Sequence, residues 1–519
     1  MEFTNKPVEL LETFVNAANA VIWSDLLVGF ILATGVYFSF RMRFFQIRML
    51  RNMIRCTFKG ESSGAGISSF QALAVSLSGR VGTGNIAGVA TAIFIGGPGA
   101  VFWMWMVAFL GAGAAFIEST LAQIYKVKQD GQYRGGPAYY IEKGFGNKRV
   151  GRVYAVVFAL ATILSTGFLL PGVQANSISS AVHQAFSFTT DITGMFLVAL
   201  LGLIIFGGIK AIARVAEFVV PFMALGYILL AVVIMVMNYS SIPEVFSLIF
   251  RSAFGGEAAF GGIIGSMISI GVKRGLYSNE AGQGTGPHPA AAAEVSHPAK
   301  QGMVQALSVY IDTLLVCTAT AVMILVTGMY NVKGADSNMI VNNGVYYIYN
   351  GEQHFEGSPV YTQAAIDKAL SGQEVFNETY VGAGSYFVAL ALFFFAFTTL
   401  MAYYYIAETN VAYLTGKKNR QRWMFILKLV MLGSVYLGAV RTATLAWGLG
   451  DMGVGLMAWL NVVAILILQK PAISAFRDYE RQLRAGKDPV YDPVSTGVEN
   501  ADFWVNEYRK PQAEDVAEV

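Results

Sequence analysis

Charge is scarce in this chain and cysteine nearly absent: only 13% of its 519 residues are charged and two are cysteines. The first scarcity excludes an ordinary soluble protein of this length, in which about a quarter of the residues carry charge. The second excludes a disulfide framework and a thiolate metal site. Cys56 lies beside a basic cluster and Cys317 inside an apolar run, so both are expected as free thiols. His288 and His297 stand in a Pro/Ala-rich stretch without metal spacing and are expected as helix-cap or loop residues. A formal net charge of +3, dispersed in short clusters, offers no patch for nucleic acid. A cleavable leader is not expected, because Glu2, Glu9 and Glu12 occupy the place of a basic segment.

What the chain has is hydrocarbon. Apolar residues make up 55% of it, the mean hydropathy is +0.51, and most of the 55 glycines lie inside apolar stretches, where small residues let helices approach. Runs long enough to cross about 30 Å of lipid as helix fall at 21–40, 66–95, 97–125, 151–181, 192–209, 214–238, 257–286, 300–328, 384–411, 422–439 and 452–469. They are apolar on all sides, which excludes the alternation of barrel strands. The expected fold is all-α and polytopic, with eleven spans and a lipid bilayer as its partner.

Basic residues set the orientation, since short cytoplasmic loops collect them. The first loop holds Arg41, Arg43, Arg48, Arg51, Arg55 and Lys59 against Glu61. Alternate loops continue the pattern through Lys126 to Arg152, Lys210 and Arg214, Lys300, and Lys417 to Arg422. The opposite side is poor in them, and its longest loop, 329–383, is acidic. The expected organisation is an outer segment 1–20, an extra helix 21–40, a first repeat 66–238, a second repeat 257–469 containing that outer loop, and a partly disordered cytoplasmic tail 470–519.

Setting the first span aside leaves five plus five, and an odd number inverts the second half. The opening span of each half carries an interruption: Ser78-Gly79-Arg80-Val81-Gly82-Thr83-Gly84-Asn85 in the first, and Ser269 to Gly275, running on to Ser278-Asn279-Glu280, in the second. Paired broken helices point to a transporter site. Their freed N–H groups suit a carboxylate and their freed carbonyls suit Na+, whereas close helix packing by Gly79, Gly82, Gly84 and Gly88 is the competing explanation.

Arg80, Lys273 and Arg274 adjoin the breaks and need partners among Glu118, Glu217, Glu280, Asp312 and Glu408, in an ion-pair or gating network or in direct solute contact. Gln174 and Asn176 offer amides either to a solute or to a neighbouring helix. Thr398 and Thr399, ahead of Tyr403, offer hydroxyls either to Na+ or to their own helix backbone. Bulky walls and small residues together suit a small neutral solute.

Gly96-Gly97-Pro98-Gly99-Ala100 with Phe102-Trp103-Met104-Trp105, Val81 to Gly88, and Gly271-Val272-Lys273-Arg274-Gly275 with Ser278-Asn279-Glu280-Ala281-Gly282 resemble the motifs of the alanine or glycine:cation symporter family, also called the sodium:alanine symporters. The resemblance covers about residues 20 to 470. It implies a LeuT-like five-plus-five inverted repeat with one added amino-terminal helix. It also implies Na+-coupled uptake of alanine, glycine or a similar small neutral amino acid, with no catalysis, no cofactor beyond the coupling ion and no obligate protein partner. Solute contacts would fall on Gly82, Thr83, Gly84, Asn85, Gln174, the Ile270-Gly271 turn, Thr399 and Tyr403. Sodium would sit near Ser78 and Val81 with Thr398 and Thr399. Some relatives carry Trp at the position of Tyr403 and Thr at that of Arg80, which bears on pocket size and polarity.

Overall fold

The computed structural model describes residues 6–508 apart from 61, 207, 335, 337, 346, 350, 351, 355–358, 373–381 and 416–418. Lys417 and Lys418 of the orientation argument, part of the loop 329–383 and residues 509–519 of the tail lie outside the described residues. The chain is mostly helical. Among the described residues seven helices are long and apolar enough to cross a membrane: Gly99–Ile124, Lys148–Phe186, Ile209–Met237, Pro298–Thr327, Ala383–Leu414, Arg420–Val440 and Ala443–Arg484. An eighth arises if Val8–Ile22 and Asp25–Arg41, bent by 43° at their junction, count as one. Of the eleven expected spans, 192–209 is the short helix Thr190–Ile205, while 66–95 and 257–286 are broken into pieces.

Lipid cannot hydrogen-bond a loose backbone, so each break must be repaired inside the protein. The first broken span begins at a capping box, in which the Ser68 side chain accepts from Gln71 N and the Gln71 side chain accepts from Ser68 N. The Ser69–Arg80 helix stops at Val81, whose ψ is 90°, and resumes as the wide turn Gly84–Gly88 and the helix Val89–Gly96. This break falls within the predicted stretch.

The second break lies at the far edge of its predicted stretch, at Glu280, and not at Ser269 to Gly275. Residues 269–275 are helical within Ile264–Asn279, and Ile270-Gly271 is not a turn. The glycines there serve packing: a Cβ on Gly271 would lie 2.6 Å from Trp103 Cβ, and one on Gly275 would lie 2.6 Å from Val107 Cγ1. The chain leaves the helix at Glu280, with φ of 54°, and passes Gly282 and Gly284, with φ of 83° and 92°, before the short helix Pro287–Ala292. That places the opening about 15 Å along the helix from the expected Ile270-Gly271 turn. At their far ends the two broken helices are tied by a parallel bridge, Ile67 N donating to Ala292 O at 3.0 Å and Glu294 N to Ile67 O at 2.8 Å.

The described part of the tail is more ordered than expected, and the amino-terminal segment is helical. Residues 6–22 form a helix against the last one, where Asn19 Nδ2 donates to Gly448 O at 2.8 Å. The tail continues the Ala443–Arg484 helix and then docks: Trp504 is fully buried and its Nε1 donates to Gln123 O at 2.9 Å. Buried Tyr491, Phe503 and Trp504 supply the apolar contacts that hold it. The loop 329–383 contributes the hairpin Asn331–Lys333 with Met339–Asn342 and the helix Pro359–Ser371.

Candidate functional site

The two breaks touch. A Cβ on Gly84 would lie 3.1 Å from Ser278 Cα, so any larger residue would press on the facing backbone, and one on Gly82 would lie 2.7 Å from Thr399 Oγ1. Around the first break the freed groups find side chains: Gly82 N donates to Asn85 Oδ1 at 2.9 Å, and Thr83 N to Gln174 Oε1 at 3.2 Å. Gln174, Thr399 and the segment Gly82 to Asn85 therefore converge, as the sequence suggested. Asn176 does not join them; its Nδ2 donates to Gly438 O at 3.1 Å, an interhelical bond.

The centre of the assembly is a carboxylate. Asp312, fully buried on a wide helical turn Tyr310–Cys317 inserted in the Pro298–Thr327 span, accepts at Oδ1 from Asn85 Nδ2 at 2.6 Å. Its Oδ2 accepts from Ser278 Oγ at 2.7 Å and Thr313 Oγ1 at 2.8 Å. One anion thus joins the first broken helix to the end of the second. Cys317, buried and free as expected, lies 3.1 Å from Ser278 Oγ through its Sγ.

Thr398 and Thr399 both donate to Phe395 O, at 3.0 and 2.9 Å, and Ser78 Oγ donates to Val75 O at 2.7 Å. The hydroxyl protons are turned to the helix backbone, which leaves oxygen lone pairs directed elsewhere. Tyr403 belongs to the second break: its hydroxyl donates to Glu280 Oε1 at 3.1 Å, while Thr285 Oγ1 donates to Glu280 Oε2 at 2.7 Å. Ile270 packs at Gly96, where a Cβ would meet its Cγ2 at 2.6 Å, away from this cluster.

The three cations that adjoin the predicted breaks fall into two groups. Arg274 forms a two-pronged pair with Asp451, at 3.0 and 2.8 Å, and Lys273 Nζ lies 2.7 Å from the same carboxylate. Asp451 was missed in the sequence because a single acid in an apolar helix, 177 residues from Arg274, leaves no local signal. Arg80 is 2% exposed and donates to Gln305 O at 3.2 Å and to Ser308 Oγ, while its Nε and Nη2 have no hydrogen-bond partner among the described residues. Glu118 accepts from Gly282 N at 3.2 Å and from Asn461 Nδ2 at 2.6 Å, which holds the loop of the second break in place. His297 caps the Pro298 helix, accepting from Ala299 N at 3.1 Å. Among the described residues no group of three His, Cys, Asp or Glu side chains can hold a metal ion.

A sequence profile of the sodium:alanine symporter family matches residues 8–493. A putative sodium/proton-dependent alanine carrier protein of Bacillus subtilis is 61% identical over 497 residues, covering 95% of this chain and 98% of the relative. A sodium/proton-dependent alanine carrier protein of Bacillus sp. (strain PS3) is 50% identical over 88% of this chain and 98% of its own length. A sodium/alanine symporter of Methanococcus maripaludis is 35% identical over 89% and 96%. A solved Na+-coupled sialic acid symporter aligns at 13% identity over 93% of this chain and 96% of its own, with a TM-score of 0.47, a likeness that adds nothing to the fold described above. On the extent of the family match and the identity of these relatives, the chain is a multi-pass membrane protein and belongs to the sodium:alanine symporter family.

Proposed function

We propose that this chain is a secondary active transporter, not an enzyme, that carries alanine, glycine or a similar small neutral amino acid together with Na+. The observation that carries the reading is the Asp312 carboxylate, which binds Asn85 at one helix break and Ser278 at the edge of the other. A buried anion held by amide and hydroxyl protons exchanges those protons for a cation at little geometric cost. In this reading Na+ sits against Asp312, with Ser278 and Thr313 turning their oxygens toward it. The neutral oxygens of Ser78, Val81, Thr398 and Thr399 form a second cation seat. The solute carboxylate takes the N–H groups of Gly82 to Asn85, with Gln174 and Thr399 beside it and Tyr403 closing the far wall. Arg80, Lys273, Arg274 and Glu280 act as gating or ion-pair groups.

The layout that goes with this function is an eleven-span, LeuT-like five-plus-five inverted repeat with an outer amino terminus and a cytoplasmic carboxyl terminus. It is supported by eleven apolar runs, of which two are the broken spans, and by the basic residues on alternate loops. Alternating access then consists of one helix bundle rocking about the fixed breaks.

A second reading, proton coupling, is favoured by two buried carboxylates outside the Asp312 cluster, Glu118 and Glu280, and by the sodium/proton-dependent names of two relatives. Labelled alanine and glycine uptake into proteoliposomes separates the two. Accumulation driven by an inward Na+ gradient at equal pH selects sodium; accumulation in sodium-free medium under a pH gradient selects the proton. Currents far above carrier turnover would select a channel.

A further inference from the structure

We propose that the junction between the end of the Asp25–Arg41 helix and the lower part of the Ala443–Arg484 helix binds the headgroup phosphate of an anionic phospholipid. A cavity of about 330 Å³ lies there, lined by Arg41, Arg43, Arg477, Arg481 and Arg484 with Glu480. Glu480 is already engaged by Arg48 at 2.9 Å, and Arg481 is engaged by Asp478. Arg41, Arg43, Arg477 and Arg484 have no ion pair among the described residues, so four exposed cations share one cavity without a counter-ion. A planar guanidinium matches phosphate oxygens two at a time, and a cationic pocket beside membrane helices on the cytoplasmic side suits a lipid headgroup. The site rests on the cytoplasmic orientation proposed above.

The pocket is built. Arg43 and Phe44 turn the chain with φ of 54° and 50°, and Arg48 locks that turn by donating from Nε to Arg43 O at 2.7 Å and from Nη2 to Met42 O at 3.0 Å. The chain that follows assigns the phosphate to lipid and not to solution. Ile47, Leu50, Ile54 and Phe58 are 65, 43, 48 and 71% exposed and recur at three- and four-residue spacing, while Met53 and Cys56 face inward. An exposed apolar stripe flanked by Arg51 and Arg55 lies in the plane of a bilayer surface, at the depth of the headgroups.

The test uses the full chain, purified in detergent and stripped of lipid, with bound lipid counted by native mass spectrometry. Phosphatidylglycerol is expected to bind more tightly than phosphatidylcholine and to resist displacement by millimolar inorganic phosphate. The triple variant Arg43→Gln/Arg477→Gln/Arg484→Gln is expected to lose on the order of a hundredfold in phosphatidylglycerol affinity, about fivefold per arginine. Lys148→Gln/Arg149→Gln/Arg152→Gln, an equal loss of charge elsewhere, is expected to leave it unchanged. If the triple variant does not fold, Arg477→Gln alone is expected to give the fivefold loss. Equal affinity in wild type and variant, an equal loss in the control, or displacement by inorganic phosphate would overturn the proposal. None of these readouts depends on transport, so failure of the lipid site and failure of the transport reading are separately visible.

Discussion

Asn85 Nδ2 donates to Asp312 Oδ1 at 2.6 Å, across 227 residues of sequence, and the same Asn85 accepts from Gly82 N with its oxygen at 2.9 Å. One amide therefore couples the unwound backbone to the buried carboxylate. Asp312→Asn keeps the shape and removes the charge. The expected outcome is a rise of at least about tenfold in the Na+ concentration for half-maximal alanine uptake, since one pK-unit equivalent of lost charge interaction is tenfold in affinity. An unchanged sodium titration would separate Asp312 from the ion.

Gln174 answers the Thr83 N–H that the broken helix leaves free. Gln174→Ala strands that donor in the solute-free protein, at a cost of about 1–3 kcal/mol in stability, and also removes the side chain proposed to stand beside the solute. The half-saturating alanine concentration should rise roughly tenfold while the sodium titration keeps its midpoint. A variant with wild-type solute affinity would make Gln174 a packing residue only.

Asp451 neutralises two cations, Lys273 and Arg274. Removing one partner of a buried pair is strongly destabilising, by about 3–5 kcal/mol, because the other charge stays buried. Asp451→Asn should lower the thermal unfolding temperature in detergent, and Asp451→Glu should recover part of the loss. If Asp451→Asn melts with the wild type, the pair carries no structural role.

Lys126, beyond the end of the Gly99–Ile124 helix, donates to Ala293 O at 2.9 Å and lies 4.3 Å from the Tyr133 ring centre and 4.6 Å from that of Phe503. Burial lowers its pKa to about 7, with Glu294 opposing the shift. Between about pH 7 and 10.5 the unfolded chain binds a proton that the folded chain does not, so this group makes stability rise with pH across that window, by up to about 1.4 kcal/mol per unit. Below pH 7 both states are protonated and the slope vanishes. Lys126→Met should flatten the rise of unfolding temperature between pH 7 and 10; parallel profiles would contradict the assignment.

The membrane class and the first break were legible because both are written locally, in apolar run length and in Gly82 and Gly84. The second break was legible only at its far edge, Glu280. Gly271 and Gly275 look like helix breakers in sequence, but they are contact points against Trp103 and Val107, and the helix opens only at Glu280. Glycine permits a break and a close approach alike, and only the partner helix decides between them. Asp312 could be counted among the buried acids, but its bridging of the two breaks depends on contacts from distant residues. Asp451 gave even less, since its role exists only once its helix packs against the one that carries Lys273 and Arg274. The tail read as disordered because its charges and prolines outweigh Tyr491, Phe503 and Trp504, the three aromatic residues that anchor it.

The central claim is that solute and Na+ share the meeting point of the two breaks and cross together. Alanine uptake by wild-type proteoliposomes, at equal pH on both sides and with Na+ only outside, tests it most directly. The account predicts accumulation of alanine above its external concentration, collapsing when Na+ is equalised across the membrane. Accumulation that persists after Na+ is equalised, or that needs only a proton gradient in sodium-free medium, would contradict it.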